Sequence, residues 1–202
     1  MSFQHIAIEG PIGVGKSSLA RRLARHLGAD LLLEKAEENP FLERFYDDPR
    51  GYAFQTQLFF LFQRVRQMQA LAQPGMFSLR IVSDFLFAKD ALFARMNLDD
   101  EEYRLYAQIH AQTAQHLPQP DLVIWLQATP ATLMQRIHRR GIAMEQGIAE
   151  DYLQRLCDAY VEHFQDHQGP LLTVETEHFN PVDDDRDFRQ LLDRLAALDA
   201  RP

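Results

Sequence analysis

Cysteine, lysine and long apolar runs are scarce in this 202-residue chain, and each shortage excludes a class of protein. The single cysteine, Cys157, cannot form a disulfide within the chain and is typical of a reducing compartment. No apolar run is long enough to cross a membrane. The first residues lack a basic flank, and a glycine-rich turn begins as early as Gly10. We therefore expect a cytoplasmic protein without a signal peptide.

Positive charge is also limited in this sequence. Three lysines and eighteen arginines face 29 acidic residues, which gives a formal net charge of −8. Nucleic acids and anionic membranes attract basic surfaces, so we expect neither as a partner. The hydrophobic fraction of 46% and the chain length suit a single globular domain that covers residues 1–202.

One segment matches the phosphate-loop pattern G-x-x-x-x-G-K-[ST] without a mismatch. It reads Gly10, Pro11, Ile12, Gly13, Val14, Gly15, Lys16 and Ser17, and Ser18 follows in a predicted helix. Backbone N–H groups of the turn and of the helix N-terminus would surround the phosphates of ATP. Lys16 is expected to bridge the β- and γ-phosphates, and Ser17 to bind Mg²⁺. An ordinary glycine-rich turn would explain the glycines, but neither the lysine nor the serine.

Five short apolar runs alternate with helical patterns, which predicts an α/β fold: a five-stranded parallel sheet with helices on both faces. The runs are residues 3–8, 30–34, 79–84, 121–126 and 171–175. Ligands of such folds bind at the carboxyl ends of the strands. We therefore expect the polar residues at these ends to gather near the phosphate loop: Glu9, Glu34, Asp84, Gln127 and Glu175.

Residues 52–73 form the longest helical pattern, with apolar side chains at steps of three and four. Gln57 and Arg64 lie two turns apart on one side of this helix, roughly 10 Å from each other. Either alone is typical of a polar surface, but together they could read the edge of a planar ligand. Neighbouring phenylalanines such as Phe62 widen the apolar stripe, and either a protein core or a homodimer surface explains that breadth.

Two carboxylates at predicted strand ends are candidates for chemistry. Glu34 could accept the proton of a hydroxyl while a triphosphate is held for in-line attack, and a solvated acidic loop is the alternative. Asp84 ends an apolar run that follows the phosphate loop, which favours a second ligand of Mg²⁺ over a helix-capping role.

A basic segment follows the fourth apolar run. Thr129-Pro130 begin a predicted helix that carries Arg136, Arg139 and Arg140 before Gly141. Arginines four residues apart share a side of a helix. A lid over residues 136–148 would stabilise charge on the transferred phosphoryl group and exclude water. The alternative is a favourable placement of cations near a helix C-terminus.

With these residues in view, the chain resembles the deoxyribonucleoside kinases, the phosphate-loop family of deoxyadenosine, deoxyguanosine and deoxycytidine kinases. The resemblance covers about residues 3–175 and rests on four blocks in order. They are "IEGPIGVGKSSL", the glutamate of "LEKAEENPFL", "YAFQTQLFFLFQR" and "RIHRRGIAMEQGI". It implies transfer of the γ-phosphoryl group of ATP to the 5′-hydroxyl of a deoxynucleoside in nucleotide salvage. Independently of the resemblance, Ser17 and Asp84 lead us to expect Mg²⁺ as cofactor, and the apolar breadth of the long helix leads us to expect a homodimer.

On the acceptor side, the resemblance places Glu34 at the position of the catalytic base. Gln57 and Arg64 match the residues that contact the base of the nucleoside. Tyr46 and Glu145 match the pair that holds the 3′-hydroxyl of the sugar.

On the donor side, the resemblance makes Arg136 and Arg140 the arginines of the lid, which act with Lys16 on the transferred group. Arg136 also stacks on the donor base in this alignment. Phe179, in the loop after the last predicted strand, would close the other side of that base.

The sequence departs from the family pattern in two places. The family commonly has an acid, arginine and serine where this chain has Asp84-Phe85-Leu86, so an arginine is absent or supplied from elsewhere. The family lid is commonly Arg-Gly-Arg, whereas this chain has Arg140-Gly141-Ile142.

The base-reading aspartate of the family corresponds to Asp90, although a shift of one residue in the alignment would select Lys89. A pocket with Gln57, Arg64 and an acid is similar to the purine and cytosine branch of the family. Deoxyadenosine is the expected acceptor, followed by deoxyguanosine.

Two other functions fit parts of the sequence. A nucleoside monophosphate kinase, such as a thymidylate kinase, needs cations to clamp the acceptor phosphate, whereas Glu34 suits a neutral hydroxyl. A nucleotide-dependent switch that reads guanine usually carries Asn-Lys-x-Asp after a late strand, where this chain has Gln127-Ala-Thr-Pro.

Overall fold

The computed structural model describes residues 2–71, 80–115 and 117–200. Its strands form one parallel sheet in the order β2-β3-β1-β4-β5, which confirms the expected five-stranded α/β fold. The strands are β1 His5–Glu9, β2 Asp30–Leu32, β3 Ile81–Ser83, β4 Leu122–Gln127 and β5 Leu171–Glu175. Ala7 of the central strand is aligned with Ser83 on one side and with Val123 on the other.

Helices connect the strands along the described part of the chain. They are α1 Lys16–Leu27, α2 Leu42–Asp47, α3 Pro49–Leu71, α4 Lys89–Asn97, α5 Asp100–Thr113, α6 Pro130–Arg140, α7 Glu150–Gln165 and α8 Asp185–Asp199. Short 3₁₀ turns lie at Ala36–Glu38 and Ala143–Glu145. The start of α6 is determined locally, because Thr129 Oγ1 accepts the N–H of Thr132 and Pro130 occupies the first helical position. No helix in these described ranges has both the length and the apolar character to span a membrane.

Several element boundaries differ from the sequence prediction. The second strand ends at Leu32 rather than at residue 34, because the Glu34 N–H donates to Asp84 Oδ1 instead of pairing within the sheet. The long helix begins at Pro49, where the missing N–H of proline is tolerated. The predicted strand start at residue 79 and helix end at residues 72–73 lie outside the described residues.

Two apolar clusters form the core. The larger cluster joins the sheet to α1, α6, α7 and α8, and all five residues of β1 are buried in it or beside it. The smaller cluster joins α2, α3, α4 and α5. Tyr46 packs against both clusters, so the boundary between them lies beside one of the predicted acceptor residues.

Candidate active site

The phosphate loop connects β1 to α1 and requires its glycines. Gly10 has φ 149° and Gly13 has φ 84°, conformations that side chains disfavour. A Cβ on Gly10 would lie 2.4 Å from the carbonyl oxygen of Leu126, and a Cβ on Gly13 would lie 2.9 Å from Ile137 Cγ1. The loop therefore packs against β4 and α6 in a way that only glycine allows.

Lys16 lies over the loop that contains it. Its Nζ donates to the carbonyl oxygens of Gly10 at 2.6 Å and of Pro11 at 3.0 Å. Burial lowers the pKa of Lys16 to about 8, although the charge of Glu9 acts in the opposite direction. A buried ammonium group of this kind is stabilised by an anion, which is what the phosphates of a nucleotide provide.

Ser17 and Asp84 form a pair of hard oxygen donors at the start of α1 and the end of β3. The Ser17 hydroxyl donates to Asp84 Oδ2, and Asp84 Oδ1 accepts the N–H of Glu34 at 2.7 Å. Burial raises the pKa of Asp84 against the effect of both hydrogen bonds. A bound cation would stabilise the buried carboxylate of Asp84. A hydroxyl beside a carboxylate suits Mg²⁺, whose remaining ligands would include phosphate oxygens of the nucleotide.

A cavity of about 770 Å³ opens at the phosphate loop, between α6 and the segment that follows β5. Three residues that the resemblance assigns to the donor side line this cavity: Arg136, Arg140 and Phe179. The Arg136 guanidinium donates to Thr176 Oγ1 at 2.8 Å and to the Val14 carbonyl oxygen at 3.3 Å. The volume and the polar lining are those of a nucleotide-sized site.

The segment predicted as a lid begins in a regular helix. Helix α6 ends at Arg140, and Gly141 closes it in a left-handed conformation with φ 69°. Arg140 forms an ion pair with Glu145 in the following 3₁₀ turn. An arginine predicted for the lid therefore contacts a glutamate predicted to bind the sugar.

Glu34 lies at the centre of the acceptor side and is held by two cations. Its Oε1 accepts from Arg64 Nε at 2.8 Å, and its Oε2 accepts from Lys89 Nζ at 3.0 Å. Burial alone would raise the pKa of Glu34, but Arg64 and Lys89 lower it to about 2. The carboxylate is therefore ionised and its two oxygens have different partners.

The predicted base-reading residues Gln57, Arg64 and Asp90 are all buried. Arg64 forms an ion pair with Asp90, and the exposed fractions of the two side chains are 4% and 0%. Gln57 Oε1 and Asp90 Oδ2 are buried acceptors with no hydrogen-bond partner within the described residues. Buried polar atoms rarely stay unpaired, so these two acceptors are suited to a ligand that carries hydrogen-bond donors.

Tyr46 and Glu145 are near each other without a direct hydrogen bond between described atoms. Burial raises the pKa of Tyr46, and the nearby Tyr152 and Glu145 add to that effect. Glu145 pairs with Arg140 instead.

The sequence alone places Glu9 near the phosphate loop without a chemical role, and it names Lys89 only as the alternative to Asp90 for reading the base. Glu9 Oε1 accepts from the Gly10 N–H and from the Tyr160 hydroxyl, both at 2.8 Å. Glu9 Oε2 accepts from the Leu86 N–H at 2.7 Å and lies 3.8 Å from Lys89 Nζ. Two features of the sequence point to these residues. Glu9 lies at a predicted strand end, and Lys89 is one of three lysines in the chain.

Comparison with known proteins places these features in a family. A family model described as deoxynucleoside kinase matches residues 6–198. The deoxyguanosine kinase of Bacillus subtilis is 32% identical, with 96% of each chain covered. The deoxyadenosine kinase of Dictyostelium discoideum is 36% identical, with 87% of this chain and 73% of the relative covered. The solved structure of deoxyadenosine kinase from M. mycoides with bound dATP is similar with a TM-score of 0.82, at 27% identity, and covers 96% of this chain and 99% of that one.

Proposed function

This chain belongs to the deoxynucleoside kinase family, enzymes that phosphorylate deoxynucleosides, and from that premise we propose that it transfers the γ-phosphoryl group of ATP to the 5′-hydroxyl of a purine deoxynucleoside. The relatives named deoxyguanosine kinase and deoxyadenosine kinase support a purine acceptor. The observation that carries the proposal is the hydrogen bond from the Glu34 N–H to Asp84. It brings the Glu34 backbone to the Ser17–Asp84 pair, on a segment whose carboxylate is bound by Arg64 and Lys89.

On the donor side, the backbone N–H groups of the loop hold the triphosphate. Lys16 Nζ exchanges the carbonyl oxygens of Gly10 and Pro11 for the more strongly accepting β- and γ-phosphate oxygens. Ser17 and Asp84 hold Mg²⁺, which neutralises phosphate charge when it is bound. Arg136 and Phe179 enclose the donor base in the cavity that they line.

On the acceptor side, Glu34 receives the proton of the 5′-hydroxyl. With a pKa of about 2 the carboxylate is a weak base. Phosphoryl transfer proceeds through a loose transition state, so the hydroxyl proton becomes acidic only as its oxygen bonds to phosphorus. The position of Glu34 therefore matters more than its proton affinity, which agrees with a carboxylate held on both oxygens.

Gln57, Arg64 and Asp90 select the base, while Tyr46 and Glu145 hold the sugar. The unpaired acceptors Gln57 Oε1 and Asp90 Oδ2 favour a base edge with several N–H donors. Adenine offers its N6 amino group, and guanine offers N1–H and the N2 amino group. Thymine has a single N–H donor on its pairing edge, so a thymidine acceptor would leave one buried acceptor unpaired.

We infer that residues 1–202 act as one kinase domain in which residues 136–148 form the lid. The left-handed Gly141, at which an added Cβ would meet no atom within 4 Å, allows the chain to bend after α6. Closure would bring Arg140 toward the transferred phosphoryl group, alongside Arg136.

We also propose that the protein is a cytoplasmic homodimer. Phe62 on α3 and Leu105 on α5 are large apolar side chains with exposed fractions of 44% and 50%, and the two helices pack against each other. A second copy would cover this surface. The single cysteine supports a reducing compartment, and the net charge of −8 gives no support for a nucleic-acid partner.

The test is a coupled assay of ADP release with Mg·ATP and a panel of acceptors. The panel contains the four deoxynucleosides, their ribose counterparts and thymidine monophosphate. We expect the highest kcat/KM with deoxyadenosine or deoxyguanosine. A preference for thymidine would contradict the assigned base pocket, and turnover with the monophosphate alone would indicate a nucleoside monophosphate kinase.

A further inference from the structure

The buried cations Arg64 and Lys89 contact different carboxylate oxygens of Glu34. Arg64 is bound to Asp90 and so belongs to the base pocket. Lys89 comes from the first turn of α4, and its Nζ lies 3.0 Å from Glu34 Oε2 and 3.8 Å from Glu9 Oε2. Since Glu9 accepts the N–H of Gly10, Lys89 connects Glu34 to the first residue of the phosphate loop.

Glu9 also determines where Lys89 lies. Its Oε2 accepts the N–H of Leu86, and the Leu86 carbonyl oxygen accepts the N–H of Lys89 at 3.1 Å. The turn that leads into α4 is therefore attached to Glu9 through its backbone as well as through the ammonium group. A fully buried carboxylate with three hydrogen bonds is a rigid anchor.

No other side chain of the turn after Asp84 can supply a cation. Phe85, Leu86 and Phe87 are apolar and buried, with exposed fractions of 1%, 4% and 6%. Lys89 is the first basic residue after Asp84, and its side chain is 4% exposed.

We propose that Lys89, seated by Glu9, is a positioning residue that holds Glu34 against the acceptor hydroxyl from the phosphate-loop side. In the transfer, the 5′-oxygen bonds to the γ-phosphorus and the bond to the β,γ-bridging oxygen breaks. ADP leaves with that electron pair, and the hydroxyl proton passes to Glu34. Lys89 keeps Glu34 Oε2 in place during this exchange, whereas Arg64 aligns Oε1 with the base pocket.

The role of Lys89 rests on the proposed role of Glu34, so the experiment compares variants of both. Lys89→Met removes the charge and keeps the apolar stem, and Lys89→Arg restores a cation. Lys35→Met is the matched control, because Lys35 is exposed and its ion pair in the described part of the chain is with the exposed Glu38. Steady-state kcat and KM are measured for deoxyadenosine, deoxyguanosine and ATP, with the thermal midpoint of each variant.

We expect Lys89→Met to lower kcat about 100-fold, since a small displacement of a reacting group has an effect of that size. KM for the nucleoside should stay close to that of the wild type, because the base pocket keeps Arg64. Lys89→Arg should recover most of the lost turnover, and Lys35→Met should match the wild type. If Lys89→Met does not fold, Glu9→Gln, which loosens Lys89 without removing it, should lower kcat with KM unchanged.

A kcat for Lys89→Met equal to that of Lys35→Met would overturn the proposed role of Lys89. A raised nucleoside KM with unchanged kcat would also overturn it, and would assign Lys89 to the base pocket. In both cases loss of activity in Glu34→Gln would leave the proposed function intact. Wild-type protein that phosphorylates no deoxynucleoside would instead overturn the proposed function itself.

Discussion

At the scale of single residues, the site is a cluster of mostly buried charges that depend on one another. Its carboxylates include Glu9, Glu34 and Asp90, and its cations include Arg64 and Lys89. Each carboxylate oxygen of Glu34 contacts a cation, whereas Asp90 has one paired oxygen and one that has no partner among the described residues. Because a buried charge without a partner is strongly destabilising, these pairings hold each member of the cluster in position.

The first prediction concerns the carboxylate that receives the proton. Glu34→Gln keeps the shape of the side chain but cannot accept the hydroxyl proton, so kcat should fall about 1000-fold. Nucleoside affinity, measured by calorimetry, should be mostly kept. Glu37→Gln, three residues away and exposed, is the control. Equal turnover in Glu34→Gln and Glu37→Gln would remove Glu34 from the mechanism.

The second prediction concerns Gln57, whose amide oxygen is buried without a partner in the described structure. Gln57→Leu removes that unpaired acceptor, so the free energy of unfolding should stay the same or rise by about 1 kcal/mol. KM for the deoxynucleoside should rise about 10-fold, because a hydrogen bond to the base is lost. The exposed Gln55 of the same helix provides the control variant Gln55→Leu. A clear loss of stability with an unchanged KM would show that Gln57 is structural.

At the scale of elements, the sequence predicts what is encoded locally. Patterns within about twenty residues are enough to predict the phosphate loop and the five strands. The same kind of pattern places Gln57 and Arg64 on one side of their helix. The contact of Lys89 with Glu34 joins α4 to the segment after β2, and Glu9 joins both to β1. No local pattern reports such a contact, since it arises only when the parallel strands align their carboxyl ends. The apolar residues that follow Asp84 likewise give no sign in the sequence that Lys89, four residues after Phe85, supplies a cation to the site.

The third prediction concerns the pairing of β1 with β3. His5 Nε2 lies 2.9 Å from Ser83 Oγ, and burial lowers the pKa of His5 to about 4, although the charge of Asp121 opposes the shift. The unfolded chain, with an ordinary histidine pKa near 6.5, takes up the proton first, so acid favours unfolding between about pH 6.5 and pH 4. The wild type should lose about 2 kcal/mol from this residue between pH 7 and pH 5.

Chemical denaturation at the two pH values measures that loss. His5→Gln keeps a hydrogen-bonding group near Ser83 and has no proton to take up, so its stability should depend less on pH. His178→Gln removes an exposed histidine and should behave as the wild type does. Equal pH dependence in His5→Gln and the wild type would contradict the buried, neutral state of His5.

At the scale of the whole molecule, the smaller apolar cluster and its surface bear on assembly. Helices α3 and α5 belong to that cluster, and α3 also carries Gln57 and Arg64 of the base pocket. A dimer contact through α3 and α5 would therefore help to fix the helix that carries these residues of the base pocket. The sequence indicated this breadth through its phenylalanines but could not separate the buried Phe60 from the exposed Phe62.

The fourth prediction tests that surface through the molar mass in solution. The wild type should scatter light as a dimer, and Phe62→Lys should shift it toward the monomer, because a charge in an apolar contact is unfavourable. Val161→Lys places the same charge at an apolar side chain of α7 that is 42% exposed. Dissociation by Val161→Lys, with Phe62→Lys still dimeric, would move the interface to α7.

The most direct test of the proposed phosphoryl transfer is to identify its product. Wild-type protein is incubated with Mg·ATP and either deoxyadenosine or deoxyguanosine, and the products are separated and characterised by phosphorus NMR. We predict one ADP for each deoxynucleoside 5′-monophosphate formed, and no such product from Glu34→Gln on the same time scale. A 3′-monophosphate, or ATP hydrolysis with the nucleoside unchanged, would contradict the proposed function.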